Sequence, residues 1–262
     1  MIAGYSIGAV VIICIGVFIA SFIDAIGGGG GLISLPSYLI AGLPTHLALG
    51  TNKLSSCLGT TASTARYIKN GCVDWRLAVP SALLAVVGAH FGTALQLAVD
   101  ETYLRYILIP VLILTAAVML KKKTFSEVPG DISRKKQCLI VFAAAFFIGM
   151  YDGFYGPGSG TFLLIVFCRL AKMDLRTASG NVKIVNLSSN IGALATSLTA
   201  GKVLIPIGLI SAVFAFCGQY LGAGLMIKNG SKIVTPVIIT VLVLLIIRVS
   251  FELAGIPLFG LS

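Results

Sequence analysis

The sequence predicts an all-α, polytopic membrane protein with two inverted repeats, each containing a glycine-broken helical hairpin and three further transmembrane helices. Three observations lead to this fold class. Apolar runs of membrane-spanning length recur along the 262 residues, and the second half repeats the order of the first. Hydrophobic residues make up 57% of the chain, charged residues only 11%, and the mean hydropathy is +1.02. So little polar surface cannot cover a fold of this size in water.

The first repeat is predicted over residues 1–120. Its apolar segments, separated by charges or turn residues, lie at about 5–25, 32–42, 45–67, 76–98 and 103–120. The short segment 32–42 follows a run of five glycines and stops at Gly42-Leu43-Pro44. Because eleven helical residues extend only ~16 Å, about half of a ~30 Å hydrocarbon core, this segment is predicted to turn back at membrane depth.

A charged loop over residues 121–136 separates the halves, and the second repeat is predicted over residues 137–262. Its segments follow the same plan and lie at about 137–154, 161–171, 175–199, 203–227 and 232–253. A shift of 130 residues superposes Lys53 on Lys183. The same shift pairs further identical residues, namely Gly71 with Gly201, Val73 with Val203, Gly88 with Gly218, Gly92 with Gly222 and Leu95 with Leu225. Near the glycine breaks the shift is 128, and it pairs Asp24 with Asp152.

Basic residues predict the orientation of the chain. Most of the 19 lysines and arginines fall in the central loop or on the same predicted side of the membrane, which the positive-inside rule assigns to the cytoplasm. The net charge of +10 is therefore a topology signal, and no nucleic acid partner is predicted. The two halves then have opposite orientations, as in secondary transporters whose discontinuous helices meet near the bilayer midplane.

Two lysines in the middle of predicted membrane helices are candidate site residues. Lys53 and Lys183 each lie on a polar helical face, and an ammonium group in hydrocarbon is costly unless it has a function or a partner. The functional interpretation is that both ammonium groups line the path of an anion. Two alternatives stay open: the side chains extend to an interface, or they pair with Asp24 or Asp152 for structural reasons.

The two glycine-rich breaks, residues 27–31 and 155–160, are the second candidate feature. A bend at membrane depth leaves backbone groups unpaired, which is tolerated beside protein or a polar cavity. The N-terminal end of the short helix after each break would favour an anion. Alternatively, the glycines only permit close helix packing. Asp24 and Asp152 precede the breaks and could be proton-coupling carboxylates, ion-pair partners of the lysines, or helix caps.

These motifs resemble the TauE/SafE family of sulfite exporters, and the likeness covers nearly the whole chain. The residues that carry it are Asp24 with the Gly27–Gly31 run and Pro36, Gly50-Thr51-Asn52-Lys53, the run from Asp152 to Gly160, and Lys183 with Asn186 and Asn190. The resemblance implies a multi-pass permease of the cytoplasmic membrane for sulfur-containing anions, driven by an ion gradient. It points to the glycine breaks and to Asn52, Lys53, Lys183, Asn186 and Asn190 as site residues.

The leading hypothesis is an alternating-access transporter that exports sulfite or organosulfonates, with the small anion and the lipid bilayer as its partners. The predicted substrate-binding residues are Asn52, Lys53, Ser56, Thr60, Lys183, Asn186, Asn190, Gly28, Gly29, Gly30, Gly156, Gly158, Ser159 and Gly160. Asp24 and Asp152 are the candidate coupling residues. The six cysteines lack metal-ligand spacing, and no metal, cofactor or catalytic residue is predicted.

Three alternative functions differ from this hypothesis. A passive anion channel would have nearly the same sequence features. An ion-coupled cation transporter could use Asp24 and Asp152, although the lysines would repel its cargo. An intramembrane serine hydrolase could use Ser159 with His90 as base, but the sequence offers no third orienting group. The sequence does not define the oligomeric state.

Overall fold

A computed structural model describes residues 1–100, 103–104, 131–230, 232–233 and 236–237, and within them the fold is helical throughout. The helices, labelled in chain order over these residues, are α1 (Ile7–Gly27), α2 (Gly31–Ile40), α3 (Thr45–Lys69), α4 (Trp75–Ala98), α5 (Arg134–Phe154), α6 (Ser159–Ile165), α7 (Leu175–Thr199) and α8 (Ile205–Asn229). The predicted all-α class is confirmed. The predicted segments 103–120 and 232–253 fall largely outside the described residues, as does most of the central loop.

The first break interrupts the chain between α1 and α2. Ser6 caps α1 by accepting the backbone N–H of Ala9 at 3.1 Å, and the helix ends where Gly28 adopts φ +76°. Only glycine takes this conformation without strain. The helix α2 then runs for ten residues and ends before Gly42, whose φ is +89°. The short, reversed helix expected from the sequence is therefore present.

The second break interrupts the chain between α5 and α6. The helix α5 ends at Phe154, and Gly158, with φ +84° in the left-handed region, precedes α6. A single π-helical turn, Val166–Leu170, continues α6. Two long helices, α7 and α8, follow, so the order of long, short, long and long helices occurs in both halves.

The predicted loop 121–136 is too long at its C-terminal end, because α5 begins at Arg134. The Arg134 guanidinium donates to the Asp74 carboxylate at 2.7 Å and to the Gln137 side chain at 2.7 Å. Asp74 is itself the N-cap of α4, accepting the Arg76 backbone N–H at 3.1 Å. These contacts hold the first turn of α5 against the start of α4, so residues 134–136 belong to the helix.

The halves interlock, because each opening helix packs against a helix of the other half. The helix α1 lies along α8, and α5 lies along α4. Glycines allow close backbone approach: a Cβ on Gly92 would overlap the Met150 carbonyl, and one on Gly222 would overlap the Phe22 carbonyl. Small residues at such positions are typical of membrane helix interfaces. The repeat pair Gly92 and Gly222 therefore lies at corresponding helix contacts.

Four of the described helices, α1, α4, α5 and α8, are long and apolar enough to span a membrane. Their outer faces carry exposed apolar side chains such as Leu83, Phe147 and Val213. The helices α3 and α7 are more polar and pack against each other. In addition, α3 packs against α8, and α7 packs against α4. Many of the polar side chains of α3 and α7, such as Lys53, Thr60 and Asn190, are therefore buried within the helix assembly. The opposite orientation of the halves stays a prediction.

Candidate functional site

A pocket lies where the two chain breaks meet the polar faces of α3 and α7, and we call it the central pocket. It is lined by Ala20, Ser21, Asp24, Gly30, Gly31, Ser34, Leu35, Asn52, Lys53, Ser56, Thr60, Asp152, Tyr155, Gly156, Pro157, Gly158, Ser159, Asn186, Asn190 and Gln219. Among the described helices, every long one except α4 contributes to this wall. Most of its polar groups are amides and hydroxyls.

Two ion pairs at the central pocket join the halves. The Lys53 ammonium of the first half lies 2.9 Å from the Asp152 carboxylate of the second. The Lys183 ammonium of the second half lies 2.7 Å from the Asp24 carboxylate of the first. Both lysine side chains are at least nine-tenths buried. Of the alternatives that the sequence left open for the lysines and aspartates, ion pairing is the arrangement in the structure.

In its contacts with the described residues, the Lys53 ammonium keeps one of its N–H donors unused. Its Nζ donates to Asp152 Oδ2 at 2.9 Å and to Asn190 Oδ1 at 3.3 Å. An ammonium carries three N–H donors, so one remains for a ligand in the pocket. Because Asn190 accepts from an ammonium, its oxygen faces Lys53 and its NH₂ group is left as a donor. The two residues together form the cationic part of the wall.

Lys183 has a different position from the one expected. It is not among the residues that line the central pocket, and its side chain is only 3% exposed. Its Nζ donates to both the Asp24 backbone carbonyl and the Asp24 carboxylate. The aspartate therefore lies between this ammonium and the pocket, and Lys183 acts on the pocket through Asp24.

The two aspartates have unequal surroundings. Asp152 accepts from Lys53 and from Ser189 (2.6 Å) at Oδ2, and from Ser159 at 2.7 Å at Oδ1. Asp24 accepts from Lys183 and Gln219 at Oδ2, whereas its Oδ1 accepts, from the described residues, only the Gly30 backbone N–H at 3.3 Å. The Asp24 side chain is 22% exposed, compared with 9% for Asp152. Asp24 therefore has the less satisfied and more accessible carboxylate oxygen.

The structure brings most of the predicted site residues to one wall. Those that line the central pocket are Asp24, Gly30, Asn52, Lys53, Ser56, Thr60, Asp152, Gly156, Gly158, Ser159, Asn186 and Asn190. Those outside its wall are Gly28, Gly29, Gly160 and Lys183.

Gly28 and Gly160 lie where the two breaks cross. A Cβ on Gly28 would overlap the Thr161 backbone nitrogen and the Gly160 carbonyl carbon. The Thr161 hydroxyl also donates to the Gly27 carbonyl at 2.9 Å. The reason for glycine here is the contact between two backbones, which was the packing alternative considered for the breaks.

Sequence reasoning missed several lining residues, and Gln219 is the most consequential. Its Nε2 donates to Asp24 Oδ2 at 2.9 Å, and its side chain is buried. Comparing the repeats could not find it, because the equivalent of Gln219 at a shift of 130 is Ala89. The available signal was a lone amide within the apolar segment 203–227. Ser21 and Ser34 were also missed, because each lies within an apolar segment.

The Ser159–His90 pair considered for a hydrolase does not form. His90 Nδ1 lies 2.9 Å from the Thr196 hydroxyl, and its side chain is exposed and outside the wall of the central pocket. Ser159 donates to Asp152 instead. A serine nucleophile needs a base that accepts its proton, and here its hydrogen-bond partner is an ion-paired carboxylate.

Comparisons with known proteins agree with this architecture. A family model described as "Sulfite exporter TauE/SafE" matches residues 12–249. The chain is 36% identical over 231 residues to "Probable membrane transporter protein ORF9" of Sinorhizobium sp, which covers 88% of each chain. It is 32% identical over 232 residues to a "Probable membrane transporter protein" of Haemophilus influenzae, covering 87% of this chain and 89% of that one.

A third relative has the same kind of name. The chain is 32% identical over 240 residues to "Probable membrane transporter protein YfcA" of Escherichia coli, covering 90% of this chain and 88% of the relative. No solved structure matches the chain. Family match, relatives and membrane-spanning helices agree, so this chain is a multi-pass membrane transporter that belongs to the TauE/SafE family.

Proposed function

We propose that this transporter exports small sulfur-containing anions, such as sulfite or organosulfonates, by alternating access. The observation that carries the proposal is the central pocket, which lies between two chain breaks and has the Lys53 ammonium in its wall. The family description, which names sulfite export, supports the substrate class.

The wall offers donors to an oxyanion. The third N–H of Lys53 and the NH₂ group of Asn190 are adjacent, because Lys53 donates to Asn190 Oδ1. Ser56 and Thr60 follow Lys53 on the same face of α3 and also line the pocket. The N-terminal end of α2 adds a positive dipole end, since Gly30 and Gly31 lie in the wall. Sulfite and sulfonate oxygens accept from such groups.

The ion pair moderates the affinity for an anion. An oxyanion on Lys53 competes with Asp152, which is already 2.9 Å from the same nitrogen. The site therefore holds an anion less firmly than a free ammonium would. A transporter needs this balance, because a substrate held too tightly is not released on the other side.

The arrangement of the hairpins supports alternating access. Each broken hairpin, α1–α2 and α5–α6, reaches the central pocket at its break and packs against a long helix of the other half. Rocking of one set of elements against the other would expose the pocket to each side in turn.

The proposal is tested by binding and then by flux. The purified protein is heated in the presence of sulfite, thiosulfate, sulfate, sulfoacetate or taurine, and ligands that raise the unfolding temperature are assayed as radiolabelled substrates in proteoliposomes. Lys53→Gln keeps a donor for Asp152 but removes the charge. Because hydrogen bonds to charged groups contribute ~1.5–3 kcal/mol, flux is expected to fall by about 10- to 100-fold.

Lys69→Gln is the matched control, since Lys69 lies on the same helix but is exposed and outside the pocket wall. It is expected to keep wild-type binding and flux. Wild-type flux in Lys53→Gln would contradict the proposed site, and absence of binding or flux with every anion tested would contradict the proposed substrate class.

A further inference from the structure

We propose that Asp24, Gln219 and Asn186 form a binding site for a monovalent cation, H⁺ or Na⁺, which enters the central pocket together with the anion. The inference rests in part on the proposed function, because it assumes an anionic substrate. It goes further by separating the roles of the two aspartates: Asp24 takes up the cation, and Asp152 keeps Lys53 in place.

The first step is the charge of the pocket. The charged side chains that line or directly support it, among the described residues, are Asp24, Lys53, Asp152 and Lys183, and they cancel. An anion added to this neutral, enclosed site leaves one negative charge without compensation, which is costly inside a membrane. A cation bound at the same time restores neutrality.

The second step is the set of acceptors without partners. Gln219 is 3% exposed and Asn186 is 6% exposed, and both line the pocket. Neither Gln219 Oε1 nor Asn186 Oδ1 has a hydrogen-bond partner in the part of the chain that the structure describes. The orientation of Gln219 follows from chemistry, because only its NH₂ group can donate to the Asp24 carboxylate. A buried carbonyl-type oxygen without a donor is unfavourable, and it accepts a proton donor or a metal cation.

The third step is the position of these oxygens around Asp24. Gln219 contacts Asp24 Oδ2 directly at 2.9 Å. Asn186 Nδ2 and Asp24 Oδ1 both lie beside Gly160, within 2.9 and 3.6 Å of where its Cβ would be. From the described residues, Asp24 Oδ1 accepts one hydrogen bond, at 3.3 Å from the Gly30 backbone N–H. The amide groups of Gln219 and Asn186 therefore lie near the carboxylate of Asp24, and each of these amides also carries the partnerless oxygen described above.

The fourth step is the contrast with the other aspartate. Ser159 and Ser189 donate to Asp152, and the equivalents of these serines in the first half are Gly31 and Gly59. Gln219, which donates a hydrogen bond to Asp24, corresponds to Ala89 in the first half. The repeat has thus diverged at the residues around each carboxylate. Asp152 Oδ1 accepts from the Ser159 hydroxyl at 2.7 Å, a shorter hydrogen bond than the 3.3 Å bond that Asp24 Oδ1 receives from Gly30, so Asp24 has the oxygen that is easier to recruit to a cation.

The charged and titratable groups around Asp24 determine when a cation can bind there. Lys183 on α7 pairs with it, Lys53 on α3 and Asp152 on α5 line the same pocket, and the Tyr155 phenol lies in the wall. The Tyr67 phenol on α3 donates to the carbonyl of Ala25, the next residue in the chain. The Lys183 charge opposes a cation at Asp24 while the pocket is empty, and an anion on Lys53 offsets that opposition. Anion and cation therefore favour each other, and direction follows their concentration gradients.

The test uses the full-length protein with and without sulfite, because an anion on Lys53 is expected to strengthen binding of the cation. Binding of ²²Na⁺ to purified protein is measured between pH 5 and pH 9. Infrared difference spectra over the same range detect the C=O stretch of a protonated carboxylic acid. Saturable ²²Na⁺ binding identifies Na⁺ as the cation, and a carboxyl band without ²²Na⁺ binding identifies H⁺. Asp24→Asn is expected to remove whichever signal is seen.

Asp24→Asn also removes the ion pair with Lys183, which can prevent folding. Gln219→Leu keeps that ion pair, so it tests the cation site in a protein that is expected to fold. It is expected to weaken ²²Na⁺ binding by about tenfold or more, or to shift the pH midpoint of the carboxyl band by about one unit. Ser189→Ala removes a hydrogen bond from Asp152 and is the matched control. It is expected to change ²²Na⁺ affinity by less than about twofold and to leave the pH midpoint of the carboxyl band in place.

Two results would overturn the inference. One is wild-type protein with neither ²²Na⁺ binding nor a carboxyl band, and the other is a signal that Gln219→Leu leaves unchanged. Either result can occur in a protein that still transports sulfite, and cation binding can be seen in a protein that transports no tested anion. Failure of this inference is therefore distinguishable from failure of the proposed function.

Discussion

At the scale of single residues, the buried lysines and aspartates decide how the central pocket is built. Each lysine pairs with the aspartate of the other half, at 2.9 Å for Lys53 and Asp152 and at 2.7 Å for Lys183 and Asp24. The sequence predicted these four residues as site candidates because charged groups are rare in membrane helices. It could not predict which would pair, because the partners are 99 and 159 residues apart.

The Lys53–Asp152 ion pair leads to a prediction about the free energy of unfolding. Lys53→Met alone leaves a buried carboxylate without its cation, which is expected to lower the free energy of unfolding by about 3–5 kcal/mol. Asp152→Asn added to Lys53→Met removes the uncompensated charge, so the double variant is expected to recover at least about half of this loss. Thermal unfolding of the purified variants measures both. A double variant whose loss equals the sum of the two single losses would contradict the ion pair.

At the scale of the element, the two broken hairpins depend on glycine for two separate reasons. Gly158 supplies the left-handed turn that starts α6, whereas Gly28 combines a positive φ with direct contact against the other break. The glycine runs predicted the breaks, because such runs do not continue a helix through the membrane. Which glycines face the pocket and which face backbone depends on how the two breaks cross.

Gly28→Ala tests this crossing. The added Cβ would overlap the Thr161 backbone, and φ +76° with extended ψ is unfavourable for alanine, so we expect a destabilisation of roughly 3 kcal/mol or more. Gly71→Ala is the matched control, since Gly71 also has a positive φ, +69°, but no atom lies within 4 Å of its Cβ position. That variant is expected to lose only about 1–2 kcal/mol. Equal losses in thermal unfolding would show that backbone contact between the breaks is unimportant.

At the scale of the whole molecule, helices and charged side chains of each half contact those of the other half. Opening helices pack on helices of the opposite half, and the ion pairs repeat that exchange at the central pocket. Motion of one hairpin therefore changes the surroundings of charges in both halves. This is the structural basis for expecting a carrier, in which exposure of the pocket to one side is linked to closure on the other.

Counterflow distinguishes such a carrier from a passive anion channel. Proteoliposomes preloaded with unlabelled sulfite are expected to take up external labelled sulfite several-fold faster than empty ones, because a loaded carrier returns with substrate bound. A channel gives no such acceleration. Liposomes that contain Lys53→Gln serve as the comparison for leak, and equal uptake by loaded and empty liposomes would contradict alternating access.

The sequence by itself determined the membrane setting, the two chain breaks and the polar faces that carry Lys53 and Lys183, and it placed the described long helices to within two or three residues. These features are local, because they follow from apolar run length, glycine runs and helical periodicity. Only the tertiary structure decided that the lysines pair across the halves, that Lys183 lies behind Asp24, and that Gln219 joins the pocket. Such contacts depend on how distant helices cross, and the divergence of the repeat hides them from any comparison within the chain.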